Sequence, residues 1–175
     1  MPLVVFLRGV NVGGRKTFRP SVLAKKLAGL DVKSIGAAGT FTVRRKVRAR
    51  TARAEFLRHL PFDAHVMICP AKELVDLVDD EPLRQHALHE DAKPFISVLE
   101  RHPREQPRLP IHAPEGKAWQ VAVIAVRGRF ALSLHRRTGG ALVYPNEVVE
   151  KRFGVAATTR SWNTILKLRA DLESE

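Results

Sequence analysis

The chain has 175 residues, of which 45% are hydrophobic and 27% are charged, a composition that excludes an intrinsically disordered protein. A single cysteine, Cys69, excludes an internal disulfide. The only apolar run near the N-terminus, residues 3–7, is too short for a signal-peptide core or a membrane span. We therefore expect a soluble, cytoplasmic protein with no membrane partner.

The formal net charge of +12 is unevenly distributed along the chain. Residues 1–60 hold 14 lysines and arginines against 2 acidic residues, whereas residues 61–120 hold 7 against 11. An imbalance concentrated in one third of the chain predicts a partner that carries negative charge, such as nucleic acid or another polyanion. The alternative is a compositional bias, since 20 of the 30 basic residues are Arg and a solvated basic face needs no partner.

The first half of the chain is predicted to follow the order strand–helix–strand–strand–helix–strand. Buried or alternating apolar runs predict strands at residues 3–8, 32–36, 40–48 and 64–69. Pro20 is predicted to open the first helix and Thr51 to cap the second. This order is that of the ferredoxin-like split βαβ arrangement, whose two helices cover one face of a four-stranded antiparallel sheet. The open face is left to solvent, to a partner or to the second half of the chain. One hypothesis is a scaffold or self-assembly module in which this face pairs with a second copy of the chain in a homodimer.

The second half is predicted to contain antiparallel strands followed by two helices. Alternation and turn residues predict strands at residues 93–100, 118–126 and 130–136. The two helices are predicted to begin at Pro145 and at Trp162. The sequence therefore predicts an α+β protein, with a ferredoxin-like βαββαβ subdomain at residues 1–80 and a strand-hairpin-helix subdomain at residues 81–175 packed with it.

Basic residues in the third predicted strand and just after it are the main sign of a binding surface. If the strand extends to Arg48, alternation places Arg44, Lys46 and Arg48 on one face, about 7 Å apart in succession. This is close to the spacing of phosphates along one nucleic-acid strand. Arg50 and Arg53 extend the run. Because that face of the strand has no aromatic residue to stack on bases, we expect a sequence-independent contact with a polyanion.

The start of the last helix carries several hydrogen-bonding side chains. Thr159 or Ser161 can cap it, and with this phase Arg160 and Asn163 share its polar face. Because a helix start presents free amide groups and the positive end of the helix dipole, a start that carries Arg160 and Thr159 favours an anion. The alternative is a capped surface helix with Trp162 in the core.

Two polar residues near the N-terminus suggest where such an anion site could be completed. Arg8 ends a buried strand and needs a partner, and Asn11 lies in the loop that follows. One hypothesis is an enzyme that holds a small phosphorylated or carboxylated substrate between these residues and Arg160 and Asn163. The alternative is that each motif only fixes its own loop to the sheet.

Other familiar sites are not indicated. The loop after the first strand has the glycine spacing of a phosphate loop, but Arg15 stands where that motif requires lysine. Cys69 is predicted to be buried and inert. His86 and His89 could share a helical face, but no second cluster completes a metal site. We therefore predict neither a metal nor a cofactor.

Residues 7–14, 35–43 and 144–164 together resemble the bacterial domain-of-unknown-function family 1697. The resemblance implies an α+β fold with a ferredoxin-like first half. It implies no activity, because the family has no established one. The matching positions include Arg8, Asn11, Arg160 and Asn163.

The chain departs from the family pattern at two places. The family usually has an asparagine where this chain has Ser161, and it usually has Ser-Gly-Asn where this chain has Ala38-Gly39-Thr40. Each departure removes an amide that could hydrogen-bond a ligand.

Overall fold

The computed structural model describes residues 1–86 and 88–174. The chain divides into two compact units. Met1–Asp76 and the chain from Leu166 onward form the first unit, and Leu77–Ile165 form the second. The predicted subdomains share a single boundary near residue 80, whereas the first unit also takes in the end of the last helix. The predicted subdomain division stays a prediction.

The first unit is built on a four-stranded sheet. Its elements are β1 (Leu3–Arg8), α1 (Pro20–Lys26), β2 (Val32–Ser34), β3 (Thr40–Val43), α2 (Ala49–His59) and β4 (His65–Pro70), followed directly by α3 (Ala71–Asp79). The strand order is β2-β3-β1-β4, and every neighbouring pair is antiparallel. This topology confirms the ferredoxin-like arrangement predicted from the sequence.

The continuous apolar run of β1 is explained by its central position in this sheet. Leu3, Val5 and Leu7 belong to the hydrophobic core that also contains Leu23 of α1 and Phe56 of α2. Alternation turns the intervening residues to the other face of the sheet. A strand that is buried on both sides needs apolar residues at every position.

The second face of this sheet is buried as well. Val4 and Phe6 of β1 are fully buried, and Met67 and Cys69 of β4 are at most 2% exposed. The homodimer through this face of the sheet stays a prediction. The prediction that Cys69 is buried is confirmed.

The second unit is built on a five-stranded sheet. Its elements are β5 (Lys93–Leu99), β6 (Ile111–Ala113), β7 (Val121–Arg127), β8 (Phe130–His135), α4 (Pro145–Phe153) and β9 (Ala157–Ser161). The strand order is β6-β7-β8-β5-β9, antiparallel throughout. The last helix, α5 (Trp162–Glu173), begins directly after β9.

One hydrophobic cluster fixes α4 on this sheet. Val149 and Phe153 of α4 pack with Leu99, Val121 and Ala157 from three strands. The helix ends where predicted, since Gly154 follows it in the left-handed conformation with φ of 62°. The second half therefore consists of antiparallel strands and two C-terminal helices, as the sequence predicts.

The main differences between the structure and the sequence-based prediction concern four elements. Two short strands, β6 and β9, were not predicted. β3 ends at Val43 rather than at residue 48, and the next amides, of Arg44 and Arg45, donate to the carbonyls of Asp31 and Leu30, which precede β2. α2 begins at Ala49, so Thr51 lies inside it and is not its cap.

Candidate functional site

The five basic residues predicted to bind a polyanion lie between the end of β3 and the middle of α2. Because β3 ends at Val43, they do not alternate along one face of a strand, and that part of the prediction is wrong. Two of them are held by the protein itself. Arg44 Nη2 donates to the carbonyl oxygen of Asp171 at 2.7 Å, and Arg53 Nη1 donates to the carbonyl oxygen of Val66.

The other three cations, Lys46, Arg48 and Arg50, are exposed, and we call them the basic segment. Within residues 1–86 and 88–174 their side chains make no hydrogen bond or ion pair. Arg48 is the N-cap residue of α2, whose first turn contains no acidic residue. Nothing on the helix start therefore neutralises these charges, and the positive end of the helix dipole adds to them.

A buried carboxylate that the sequence analysis missed organises the neighbouring part of the first unit. Asp171 on α5 is 6% exposed, and its Oδ2 accepts a hydrogen bond from Thr42 Oγ1 at 2.8 Å. Its Oδ1 accepts from Lys33 Nζ and lies 3.3 Å from Arg44 Nη2. A signal was present in the sequence, because Asp171 follows Leu168 by three positions and so lies on the apolar face of its helix.

The pKa of the Asp171 carboxyl is shifted by opposing effects. Burial raises it, whereas the hydrogen bonds from Lys33 and Thr42 and the positive charges of Lys33 and Arg44 lower it. The net result is a pKa below the ordinary value of an aspartate. This carboxylate is therefore ionised at neutral pH and fixes Arg44.

Asn11, predicted as an anion ligand, is hydrogen-bonded to its own loop and to the connection between β2 and β3. It has a left-handed backbone with φ of 53°. Its Nδ2 donates to the carbonyl oxygen of Ala37 at 2.8 Å, and its Oδ1 accepts from the amide of Phe18 at 2.9 Å. Both ends of the side-chain amide are used, which agrees with the alternative in which the motif fixes its own loop.

Arg8 is the last residue of β1 and pairs in register with His65 of β4. It is partly buried.

Gly39, in residues 35–43, is required by the backbone at its position. Its φ is +75°, and a Cβ there would lie 2.7 Å from Val10 Cγ2 and 2.9 Å from Leu7 Cβ. Only glycine therefore fits against β1 at this point.

Arg160 lies on β9, so the prediction that it stands on the polar face of the last helix is wrong. It is 6% exposed, and its Nη1 donates to Thr158 Oγ1 at 2.7 Å and to the Thr159 carbonyl at 2.9 Å. Burial lowers the pKa of its guanidinium to about 10, so the group still carries its charge at neutral pH. Its local partners account for this residue structurally.

Two parts of residues 144–164, the start of α4 and strand β9, contact each other in the second unit. Thr159 Oγ1 donates to Asn146 Oδ1 of α4 at 2.9 Å and lies 2.7 Å from Ser97 Oγ of β5. Ser161, one of the two predicted caps, accepts a hydrogen bond from the Thr164 amide at 3.3 Å. Asn163 is exposed in the first turn of α5. These contacts join β9 to its neighbours.

Arg8 and Asn11 belong to the first unit, whereas Thr159, Arg160 and Asn163 belong to the second. The hypothesis that the two groups line one anion site stays a prediction. Across residues 1–86 and 88–174, no group of three or more His, Cys, Asp or Glu residues could hold a metal ion. Over the same residues, no helix is both long enough and apolar enough to cross a membrane.

Comparison with known proteins decides the family. The model of a protein family described as "protein of unknown function (DUF1697)" matches residues 1–126. The chain belongs to this family. The match includes the Asn11 loop, Gly39 and the basic segment, and it ends before the stretch that contains Asn146 and Arg160.

A solved structure has a similar fold over nearly the whole chain. It is that of a conserved bacterial protein, SP0830 from Streptococcus pneumoniae, with a TM-score of 0.57 and 14% sequence identity, and the similarity covers 98% of both chains. At this identity the similarity shows the fold and nothing more. No match was found among the curated proteins. The chain is thus a member of the DUF1697 family with an α+β fold, and no activity is established for this family.

Proposed function

We propose that this DUF1697 protein binds a polyanion, nucleic acid or another phosphate- or sulfate-bearing polymer, through the basic segment of the first unit. The observation that carries the proposal is that Lys46, Arg48 and Arg50 are exposed and unpaired among the described residues. They lie within residues 1–60, where 14 basic residues face 2 acidic ones. Exposed cations that no acidic group neutralises attract a polymer of negative charge.

The geometry of the segment supports contact with a backbone rather than with bases. Its three cations lie on the connection into α2 and on the first residues of that helix, where amide groups and the helix dipole also favour an anion. The segment itself contains no aromatic residue on which a base could stack. Binding of this kind is independent of sequence and strongly weakened by salt.

The test compares two triple variants that lose the same charge. One carries Lys46→Ala, Arg48→Ala and Arg50→Ala. The control carries Arg101→Ala, Arg104→Ala and Arg108→Ala, which removes three exposed arginines of the second unit that also lack a side-chain hydrogen bond or ion pair to any described residue. Both lower the net charge equally, so any difference between them reports the location of the binding surface.

Binding is measured by elution from heparin and by fluorescence anisotropy with labelled single-stranded and duplex DNA over a range of salt. We expect the basic-segment variant to bind about tenfold more weakly and the slope of log K against log[salt] to fall by about 2 to 3, because each lost phosphate contact contributes about 0.9. The control should change affinity by less than about threefold. Equal weakening of both variants, or no retention of the unmodified protein at low salt, would overturn the proposal.

A further inference from the structure

A groove on the first unit lies at the other end of α2 from the basic segment. It has a volume of about 240 Å³. Its apolar lining comes from Phe18, Val22, Leu23 and Pro61, and its remaining lining residues are Arg19, Lys26 and His59. These residues come from α1, from the end of α2 and from the residues next to them. The proposed polyanion surface uses none of them.

The groove is apolar at its base and positively charged at its edge. Val22 is 44% exposed although it lies on a helix of a folded unit. Phe18, on one wall, packs edge to face against Phe62 with ring centroids 5.7 Å apart, which holds that wall in place. An exposed valine alone needs no explanation, but an exposed valine in a concave apolar surface is typical of a site for another molecule.

The charges at the edge are all of one sign. Arg19 and Lys26 are exposed, and their side chains make no hydrogen bond or ion pair with any residue in the described ranges 1–86 and 88–174. The carboxylate of Glu55 lies 3.9 Å from His59 Nδ1 in the lining and already pairs with Arg58 at 2.6 Å. The edge of the groove therefore offers two positive charges to an incoming group.

We propose that this groove docks an acidic peptide segment of a partner protein, which inserts one bulky apolar side chain and places carboxylates against Arg19 and Lys26. The volume supports a single side chain, because pockets for whole drug-sized ligands measure about 300 to 1,000 Å³. One buried apolar anchor surrounded by charged contacts is the usual organisation of a small peptide interface. The complementary charges speed association and reject basic segments.

Other occupants fit the groove less well. A nucleic-acid backbone has no group that gains from the apolar lining formed by Phe18, Val22 and Leu23. A membrane surface binds through a long helix with a wide apolar face, whereas α1 has only 7 residues. An acidic peptide with one apolar anchor uses both the lining and the edge.

The first experiment is selection from a random-peptide phage library on the full-length protein. We expect enrichment of peptides in which one aromatic or large aliphatic residue is flanked by Asp and Glu. An enriched peptide is then synthesised with a fluorescent label, and its affinity is measured by anisotropy. No enrichment, or enrichment of basic or uniformly apolar peptides, would overturn the proposal.

Two matched pairs of variants place the binding. Val22→Glu puts a carboxylate in the groove, and its control is Leu57→Glu, which changes a residue of similar exposure, 43%, that does not line it. Arg19→Ala with Lys26→Ala removes the edge charges, and its control is Arg15→Ala with Lys25→Ala. We expect Val22→Glu to weaken peptide binding at least about tenfold, and the edge double variant to weaken it about tenfold at low salt.

Each control should stay within about twofold of the unmodified protein, and elution from heparin should be the same for Val22→Glu as for Leu57→Glu. Equal effects of a groove variant and its control would overturn the proposal. Co-sedimentation with phosphatidylserine vesicles that Val22→Glu abolishes, in the absence of any enriched peptide, would assign the groove to lipid and would also overturn it. Circular dichroism and thermal unfolding confirm that each variant is folded.

Discussion

The two units satisfy their buried polar groups by different chemistry. In the first unit the buried acceptor is the Asp171 carboxylate, which contacts the cations Lys33 and Arg44. In the second unit the buried side chains include the neutral Gln120, 3% exposed, and Ser97, fully buried, and the cation Arg160, whose Nη1 donates to the Thr158 hydroxyl and the Thr159 carbonyl. Charged contacts depend on pH and are partly screened by salt, whereas amide and hydroxyl contacts are not.

This contrast bears on where a negatively charged partner can bind. The buried carboxylate of Asp171 already engages Lys33 and Arg44, and it does not neutralise the basic segment, whose three cations stay exposed. In the second unit the buried side chains of Gln120 and Ser97 make internal hydrogen bonds. Variants that remove a charged contact in the first unit, or an amide or hydroxyl contact in the second, measure how much each contributes to the free energy of unfolding.

The largest effect is expected for Gln120→Leu in the second unit. The Nε2 of Gln120 donates to the carbonyls of Gly139 and Ala141 at 3.1 and 2.8 Å, and its Oε1 accepts from the amide of Val143 at 3.1 Å. Leucine keeps the volume but loses all three bonds, and at about 1 kcal/mol each the free energy of unfolding should fall by about 3 kcal/mol. Urea unfolding at two pH values measures it.

The matched control is Gln106→Leu at an exposed loop position, which should change stability by less than about 0.5 kcal/mol. The loss in Gln120→Leu should be the same at pH 7 and at pH 4, because no ionisable group takes part in these contacts. If the free energy of unfolding lost in Gln120→Leu were much smaller at low pH, an ionisable group would contribute to these contacts in the second unit too.

The contacts of Gln120 and Asp171 also mark the limit of what the sequence could predict. β1 was predictable because a strand buried on both faces must be apolar throughout, and the start of α4 was predictable because Pro145 fits only the first turn of a helix. Such signals are local. The partners of Asp171 are not local, since Thr42 lies 129 positions away.

The candidate site shows the same limit. Thr158, Thr159, Arg160 and Ser161 are polar and suit a helix cap as well as a strand. What makes them β9 is pairing with β5, 58 to 66 residues earlier, and Arg160 is buried in that strand. The concentration of charge in residues 1–60 was visible in the sequence, but which cations stay exposed depended on where β3 ends.

A smaller effect, with a distinct pH dependence, is expected for Asp171→Asn. Removing the charge that Lys33, Thr42 and Arg44 surround should lower the free energy of unfolding by about 2 kcal/mol at pH 7. The folded-state pKa of Asp171 lies below the ordinary value, so its contribution is complete above the unfolded pKa of about 3.9 and is lost as pH falls through the folded pKa. Unfolding in urea from pH 7 to pH 2.5 measures it.

The difference in the free energy of unfolding between Asp171→Asn and the unmodified protein should therefore become smaller towards low pH. The control is Asp76→Asn, the same substitution at a 54% exposed carboxylate that pairs with Lys72, where less than about 0.5 kcal/mol is expected. If the two variants lost equal free energy of unfolding at every pH, burial of Asp171 would have no energetic consequence. The first unit would then not depend on a buried charged contact.

The smallest effect, of about 1 kcal/mol, distinguishes two buried serines of the second unit. Ser97 Oγ is hydrogen-bonded to Thr159, whereas Ser133 Oγ is fully buried and makes no hydrogen bond within the described ranges 1–86 and 88–174. Ser97→Ala should lower the free energy of unfolding by about 1 kcal/mol. Ser133→Ala should leave it unchanged or raise it, because alanine removes a hydroxyl that is buried without a partner. Thermal unfolding of the two single variants and of the double variant measures the change in the free energy of unfolding that each substitution causes. Equal losses in the two single variants would mean that Ser133 has a partner, such as a bound water, and that the polar network of the second unit extends across β8.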